Sequence, residues 1–384
     1  MRFLSASRIF SGTHILTDPS VLVLKDDGRI EDLLPAGSVD AGRVEFHEGI
    51  LAPGFINTHC HLELSHLKGK IPQGTGIVDF GLSVIRQRNG IGEEEQLEHM
   101  RQADKDMRLQ GIVAVGDISN TALSAPVKQQ SGLYYHSFVE LIALHPGRAG
   151  LVFDAGKATL ETFRQAGLSA SLAPHAPYSC SRELIAAISA FCYQEQQPTS
   201  IHNQESQAEN DFFIHKTGDY VRMYNTLGLP IDYFEASGKS SLQNVAGSFH
   251  KGVNTLLVHN TFSDKKDVTM AEQLLSELYW CLCPNANLYI EGVLPDALLL
   301  ASQHCKLTLG TDSLASNTRL SVLEEILALQ KHIPGLPLEL LLNAATLNGA
   351  RFLGIDETYG SLEKGKTPGI NIIHIEKGLV KKLA

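Results

Sequence analysis

Two histidines one residue apart, His59 and His61, follow the apolar run Ile50 to Ile56 in the stretch I-L-A-P-G-F-I-N-T-H-C-H-L-E. In an extended chain residues i and i+2 share a face. The two imidazoles therefore leave the end of a strand side by side, and neutral imidazole is the commonest protein metal ligand. Pro53 and Gly54 break the run and suggest an entry turn before a short buried strand. Alone, H-x-H fits two unrelated surface histidines equally well. Further along, Pro174-His175, His202 with Glu205 three residues on, His259-Asn260 and Thr311-Asp312-Ser313 each end an apolar run. A satisfied core does not account for so many. His59, His61, His202 and Asp312 supply the three or four ligands of a catalytic zinc site that keeps one position for water. Such a metal lowers the pKa of its water from ~15.7 toward ~7. Glu205, just past a ligand strand, reaches that water as a general acid/base without being a ligand. His259 can polarise the attacked carbon's substituent or hold the hydroxide, and Asp312 can both touch the metal and accept a proton.

The elements that must position these groups alternate. Eight apolar runs, Gly54–His61, Gly111–Ile118, Leu133–Leu141, Leu168–Pro174, Pro198–His202, Asn254–His259, Trp280–Pro284 and Lys306–Asp312, are each followed by helix-like sequence, as at Glu93–Gln110, Ser181–Gln196, Lys265–Leu278 and Arg319–His332. Strands alternating with helices mean βα units and a parallel sheet, and eight units over roughly three hundred residues mean a (β/α)8 barrel. An open doubly wound sheet lacks support, because no G-x-G-x-x-G follows an early strand. Both ends of the chain read as short strands with turns, among them Lys25-Asp26-Asp27-Gly28 and the strand Ile370 to Ile375. The expected organisation is a composite β-sandwich domain from residues 1–52 and 355–384 and a metal-dependent hydrolase barrel over 53–354. Gly74-Thr75-Gly76 falls in a loop over the barrel mouth.

The 384 residues, 43% of them hydrophobic, suffice for a barrel and a smaller module. A formal charge of -10 without a long basic run argues against a nucleic-acid partner. Six scattered cysteines, with no C-x-x-C pair, indicate neither a disulfide framework nor a zinc ribbon and suit a reducing cytoplasm. No signal peptide and no apolar run of the ~18 residues a membrane span needs are expected.

With these residues in place the sequence resembles the amidohydrolase superfamily, in its branch of metal-dependent deaminases and chlorohydrolases acting on purines, pyrimidines and triazines. The matching pieces are P-G-F-I-N-T-H-C-H-L at 53–62, A-P-H-A-P-Y-S at 173–179, H-N-Q-E at 202–205, L-V-H-N at 257–260, C-P-N-A-N-L at 283–288, G-T-D-S at 310–313 and G-S-L-E-K-G-K at 360–366. The resemblance implies a distorted (β/α)8 TIM barrel with a β-sandwich built from both termini. It implies one divalent metal on His59, His61, His202 and Asp312, with Glu205 as proton shuttle, His259 beside the substrate and His175 in the substrate pocket. Binuclear relatives place a carboxylated lysine where this chain has Ala173-Pro174-His175, so a mononuclear site follows. The usual H-A-x-E reads His202-Asn203-Gln204-Glu205 here, and the usual tail G-K-D-A-D reads Gly365-Lys366-Thr367-Pro368-Gly369.

Zinc is the default metal for such a set, with iron(II) and manganese(II) as alternatives. The expected reaction is hydrolytic deamination of an aminated heterocycle by metal-bound hydroxide. Adenine nucleosides with a tail, such as aminodeoxyfutalosine, S-adenosylhomocysteine or methylthioadenosine, come first among substrates. Hydrolysis of a cyclic amide or chloro-substituted ring, or a non-catalytic metal-binding barrel, are the alternatives. Glu63, His66, Arg148 and Asn287 are candidate substrate contacts. Glu63 and His66 serve equally well as partners of a ligand imidazole, Arg148 as a solvated cation and Asn287 as a turn residue. Pro72–Gly76 and Arg148 are placed to hold a substrate tail. Glu140 ends the third run, beside the pocket or behind it, Cys60 points away from the ligands, and Glu324, Glu325 and Lys331 read as a solvated helix face. A homodimer is the base-rate expectation.

Overall fold

The computed structural model describes residues 1–384. Four barrel strands, β5 (Phe55–Cys60), β6 (Ile112–Ser119), β7 (Tyr134–Leu141) and β8 (Ser169–Pro174), form one parallel sheet, and β9 (Thr199–Asn203), β10 (Thr255–His259), β11 (Leu278–Leu282) and β12 (Leu307–Leu309) a second. Two seams join them. At one, the His202 amide donates to the His175 carbonyl at 2.9 Å. At the other, the amides of Thr311 and Asp312 both donate to the His59 carbonyl, at 3.0 and 3.1 Å, and Cys60 bridges Asp312 in parallel. The eight strands therefore close a distorted parallel barrel. All of β5, β6, β9, β10 and β11 is buried, as both faces of a parallel sheet require.

Several elements differ in their bounds from the pattern read in the sequence, among them the eighth barrel strand, Leu307–Leu309 rather than Lys306–Asp312, and the helix Val322–His332 rather than Arg319–His332. The seventh barrel strand is Leu278–Leu282 rather than Trp280–Pro284, because Pro284, lacking an amide proton, opens the helix Pro284–Ile290. The preceding helix accordingly stops at Leu274. Glu325 is fully buried and does not belong to a solvated face. Its carboxylate accepts from the Asn285 amide and from Asn317 Nδ2, both at 2.9 Å, and so ties the helix after β11 to the loop after β12.

The termini build one six-stranded sheet. In spatial order it runs β14 (Leu379–Lys382), β13 (Ile370–His374), β4 (Val44–Pro53), β1 (Arg2–Ile9), β2 (Ser20–Leu24) and β3 (Ile30–Pro35). Gly28 takes φ +82° in the turn between β2 and β3, a conformation that favours glycine. β4 runs directly into β5 through Gly54, so the sheet is tethered to the strand that carries the first two histidines. No helix is long and apolar enough to cross a membrane.

Candidate active site

At the C-terminal mouth of the barrel four side chains converge. His61 Nε2 lies 3.2 Å from both His59 Nε2 and His202 Nε2. Asp312 Oδ1 lies 3.5 Å from His59 Nε2 and 3.3 Å from His61 Nε2. Tetrahedral ligands about 2.0–2.1 Å from one ion sit about 3.3–3.4 Å apart, so the spacing fits a shared divalent cation. Proton bookkeeping agrees. His202 Nδ1 donates to the His175 carbonyl at 2.8 Å, which leaves the Nε2 lone pair facing its neighbours. Burial lowers the pKa of His61 and takes that of His202 well below its usual value, with nearby imidazoles adding to the second effect, which favours the neutral imidazole that a metal requires. Burial alone would raise Asp312, but the His59 hydrogen bond and the charges of the surrounding imidazoles hold it well below the carboxylate range. Its other oxygen accepts from Ser316 Oγ.

Glu205 stands outside this group. Its carboxylate is 3.7 Å from His259 Nε2, and burial, reinforced by the charges of Asp312, Glu209 and Glu291, raises its pKa well above the usual value. A raised pKa favours the protonated carboxyl, the form that a general acid needs. Burial pushes His259 down to about 3. His259 and Asp312 both have φ in the left-handed region, +73° and +54°. Neither residue has the freedom of glycine, and such strain concentrates where side chains are aimed at a site.

Asn287 does not line the cavity. It is fully buried behind His259, with Nδ2 3.3 Å from His259 Nδ1 and 2.8 Å from Thr261 Oγ1. It therefore holds the far edge of the ring, because the helix opened by Pro284 turns it inward. Glu63 and His66 also lie off the cavity. Glu63 accepts from the Asn120 amide and from the Thr121 amide and hydroxyl, which anchors the loop after β6. His66 is buried in the short helical turn after His61. The Pro72–Gly76 loop is tied down by the Gly74 and Gly76 amides, which donate to the Tyr289 and Ile290 carbonyls, and it is absent from the cavity wall. Arg148 lines the outer mouth and is exposed. His175 lines the cavity as well as accepting from His202, and its Nδ1 is 2.6 Å from Ser179 Oγ.

The cavity, of about 450 Å³, runs from His61, His202, Glu205, His259 and Asp312 outward into an apolar annex. Phe80 and Val84 of the helix Ile77–Gln87 and Tyr220, Met223 and Tyr224 of the helix Asp219–Thr226 form its sides, with Tyr233 beyond. Arg222 clips the two helices together through both oxygens of Asp79, at 2.8 and 3.1 Å. Strand-end reasoning does not reach this annex, because its walls come from two helices far apart in sequence. It could have found Asp117, an acid at the end of the second apolar run, which accepts from the Leu62 amide at 2.7 Å directly after His61.

Gly310 lies against the back of the ligand group. A Cβ there would stand 2.7 Å from His59 Cβ and about 3 Å from two buried thiols. Gly310→Ala is expected to cost about 1–3 kcal/mol by overpacking and to lower metal content on purification. Full metal content with an unchanged melting temperature would contradict this.

The amidohydrolase family model matches residues 50–382. An adenosine deaminase of Helicobacter pylori is 26% identical over 343 residues, covering 88% of this chain and 82% of that one. Among solved structures, the aminofutalosine deaminase of Helicobacter pylori in complex with methylthio-coformycin superposes with a TM-score of 0.81 at 23% identity, covering 98% of this chain and 94% of that one. An adenosine deaminase from Xanthomonas campestris with bound zinc gives 0.68 at 21% identity, covering 97% and 84%.

Proposed function

Because this chain belongs to the amidohydrolase family, we propose that it is a hydrolase of carbon–nitrogen bonds other than peptide bonds that deaminates an adenine-type nucleoside. The observation that carries the reading is the pairing of a buried, non-ligating Glu205 with three histidines and an aspartate at metal-ligand spacing. The proposed ion is zinc, supported by the donor set and by the zinc in the Xanthomonas campestris relative. Bound to His59, His61, His202 and Asp312, it would supply Lewis acidity and lower the pKa of a water held there.

The chain's own residues do the rest. Asp312 accepts the proton of the attacking water. Glu205 gives its proton to the ring nitrogen beside the reacting carbon, takes up the proton left on the added hydroxyl, passes it to the departing amine, and regains its own from Asp312. The water oxygen bonds to that carbon, the carbon–nitrogen bond to the exocyclic amine breaks, and ammonia leaves a 6-oxo ring. His259, fixed from behind by Asn287, holds the attacking oxygen through Nε2. His175 on the cavity wall meets the purine ring, and the apolar annex takes the substituent on the 5′ side of the sugar, with Arg148 at its outer end. The deaminases of nucleosides among the relatives support this choice of substrate. A cytoplasmic setting, supported by six buried unpaired thiols, and a homodimer, on base rates, complete the reading. Domain boundaries at 52/53 and 354/355 belong to the same proposal, supported by the separate sheet of β1–β4 and β13–β14.

The test is ammonia release by zinc-loaded protein of measured metal content against adenosine, 5′-deoxyadenosine, methylthioadenosine, guanine, cytosine and aminotriazines. Release confined to the adenine nucleosides is expected. Silence across the panel, with metal present, would move the reading to amide or halide hydrolysis.

A further inference from the structure

We infer that Glu140 is a specificity-determining residue that binds the sugar hydroxyls of the substrate. Glu140 lies near the end of β7 and lines the cavity. Its side chain is 4% exposed. One carboxylate oxygen, Oε2, accepts from Asn120 Nδ2 at 2.7 Å. The other, Oε1, is buried without a hydrogen-bond partner. A buried carboxylate oxygen left unpaired is costly; Oε1 is shielded as the side chain stands, and a small turn of the carboxylate toward the cavity that Glu140 lines lets a donor from the ligand complete it.

The competing role is that of an orienting partner for the ligand His202. The geometry disfavours it. Oε1 is 3.6 Å from His202 Nδ1, beyond hydrogen-bond distance, and that nitrogen already donates to the His175 carbonyl at 2.8 Å. The chemistry of the missing partner is narrow. A negative oxygen repels phosphate and carboxylate and selects neutral O–H donors, and its two lone pairs can accept both hydroxyls of a vicinal diol. Acidic side chains serve ribose in the same way at dinucleotide sites. The place is also right. Oε1 is 3.6 Å from Nδ1 of His202, the edge of the ring away from its Nε2, and a nucleoside that reacts beside Nε2 and lays its sugar along that ring brings the hydroxyls to Glu140.

Asn120 cannot turn round to fill the role itself, because Arg88 Nη2 donates to its Oδ1 at 3.1 Å. This fixes the outcome of an isosteric exchange. In Glu140→Gln, the new carbonyl must face Asn120 Nδ2, which leaves the amide NH2, a group that cannot accept, toward the cavity.

The inference rests on the nucleoside reading above, and the experiment separates the two. Ammonia release is measured from adenosine and 2′,3′-dideoxyadenosine with zinc-loaded wild type and Glu140→Gln, alongside metal content. Wild type is expected to favour adenosine in kcat/KM by roughly 10- to 100-fold. In Glu140→Gln that ratio falls toward one, mostly through KM, with metal content unchanged. A wild type indifferent to the hydroxyls overturns the inference without recourse to any variant. So does a Glu140→Gln protein that keeps the ratio, whether or not it loses metal; loss of metal with the ratio kept marks Glu140 as the orienting partner of His202. Absence of ammonia from both nucleosides overturns the nucleoside reading, and the inference with it.

Discussion

On the proposed reading, Glu205→Gln is expected to keep the metal and to lose turnover by about 10²- to 10⁴-fold. Glutamine reproduces the size and hydrogen bonding of the carboxyl but neither gives nor takes a proton at this point of the cycle. Glu205 is not among the four converging ligand atoms, so its replacement leaves the metal set whole. It is buried beside His259, so solvent does not substitute for it. The measurement pairs kcat with metal content from elemental analysis. Loss of zinc in step with activity would make Glu205 a ligand, and full activity with zinc retained would remove it from proton transfer altogether.

Lys128→Met is expected to cost about 3–5 kcal/mol and to lower the melting temperature by about 4–6 °C, because it strands a buried carboxylate. Lys128 and Asp117 are both fully buried, 2.7 Å apart. The ammonium also donates to Ser119 Oγ and Ser137 Oγ, at 2.9 and 2.8 Å, and stands 4.8 Å from the Phe163 ring. Asp117 in turn receives the Leu62 amide, next to His61. The pair thus joins the barrel wall to the turn that aims a ligand, and the variant should also bind zinc more weakly. Adding Asp117→Asn to Lys128→Met removes the orphaned charge and recovers part of the loss. A melting temperature within 2 °C of wild type in the single variant, judged against the several-degree loss typical of a broken buried pair, would mean that the pair contributes little.

Much of the barrel and of the ligand group was legible because the signal was local. His59, Cys60 and His61 alternate faces at the end of a strand, and His202 and Asp312 follow apolar runs that the structure forms as β9 and β12. What escaped depends on distant packing. Asn287 reads as a turn residue or a substrate contact until Pro284 swings it behind His259. Glu325 sits in a charged stretch, yet its side chain is buried between the helix opened by Pro284 and the loop at Asn317. Glu63 shares the metal turn, but its oxygens are taken by the loop at Asn120 and Thr121. The annex needs Phe80 and Met223 to meet, and no period in the sequence links them.

The terminal sheet also bears on biogenesis. β4 pairs with β1 on one side and with β13 on the other, in registers such as Ile9↔Leu51 and Ile50↔Ile373. On the ribosome the first four strands emerge together, but the partner for the free edge of β4 is made only after the whole barrel. At ~5–20 residues per second that edge stays open for on the order of tens of seconds. An unpaired β edge is a template for wrong pairing, so yield during expression should depend on temperature and chaperone supply more than the stability of the finished molecule does. The proposed metal site cannot rescue the nascent chain in that interval, since Asp312, one of its proposed ligands, is also translated late.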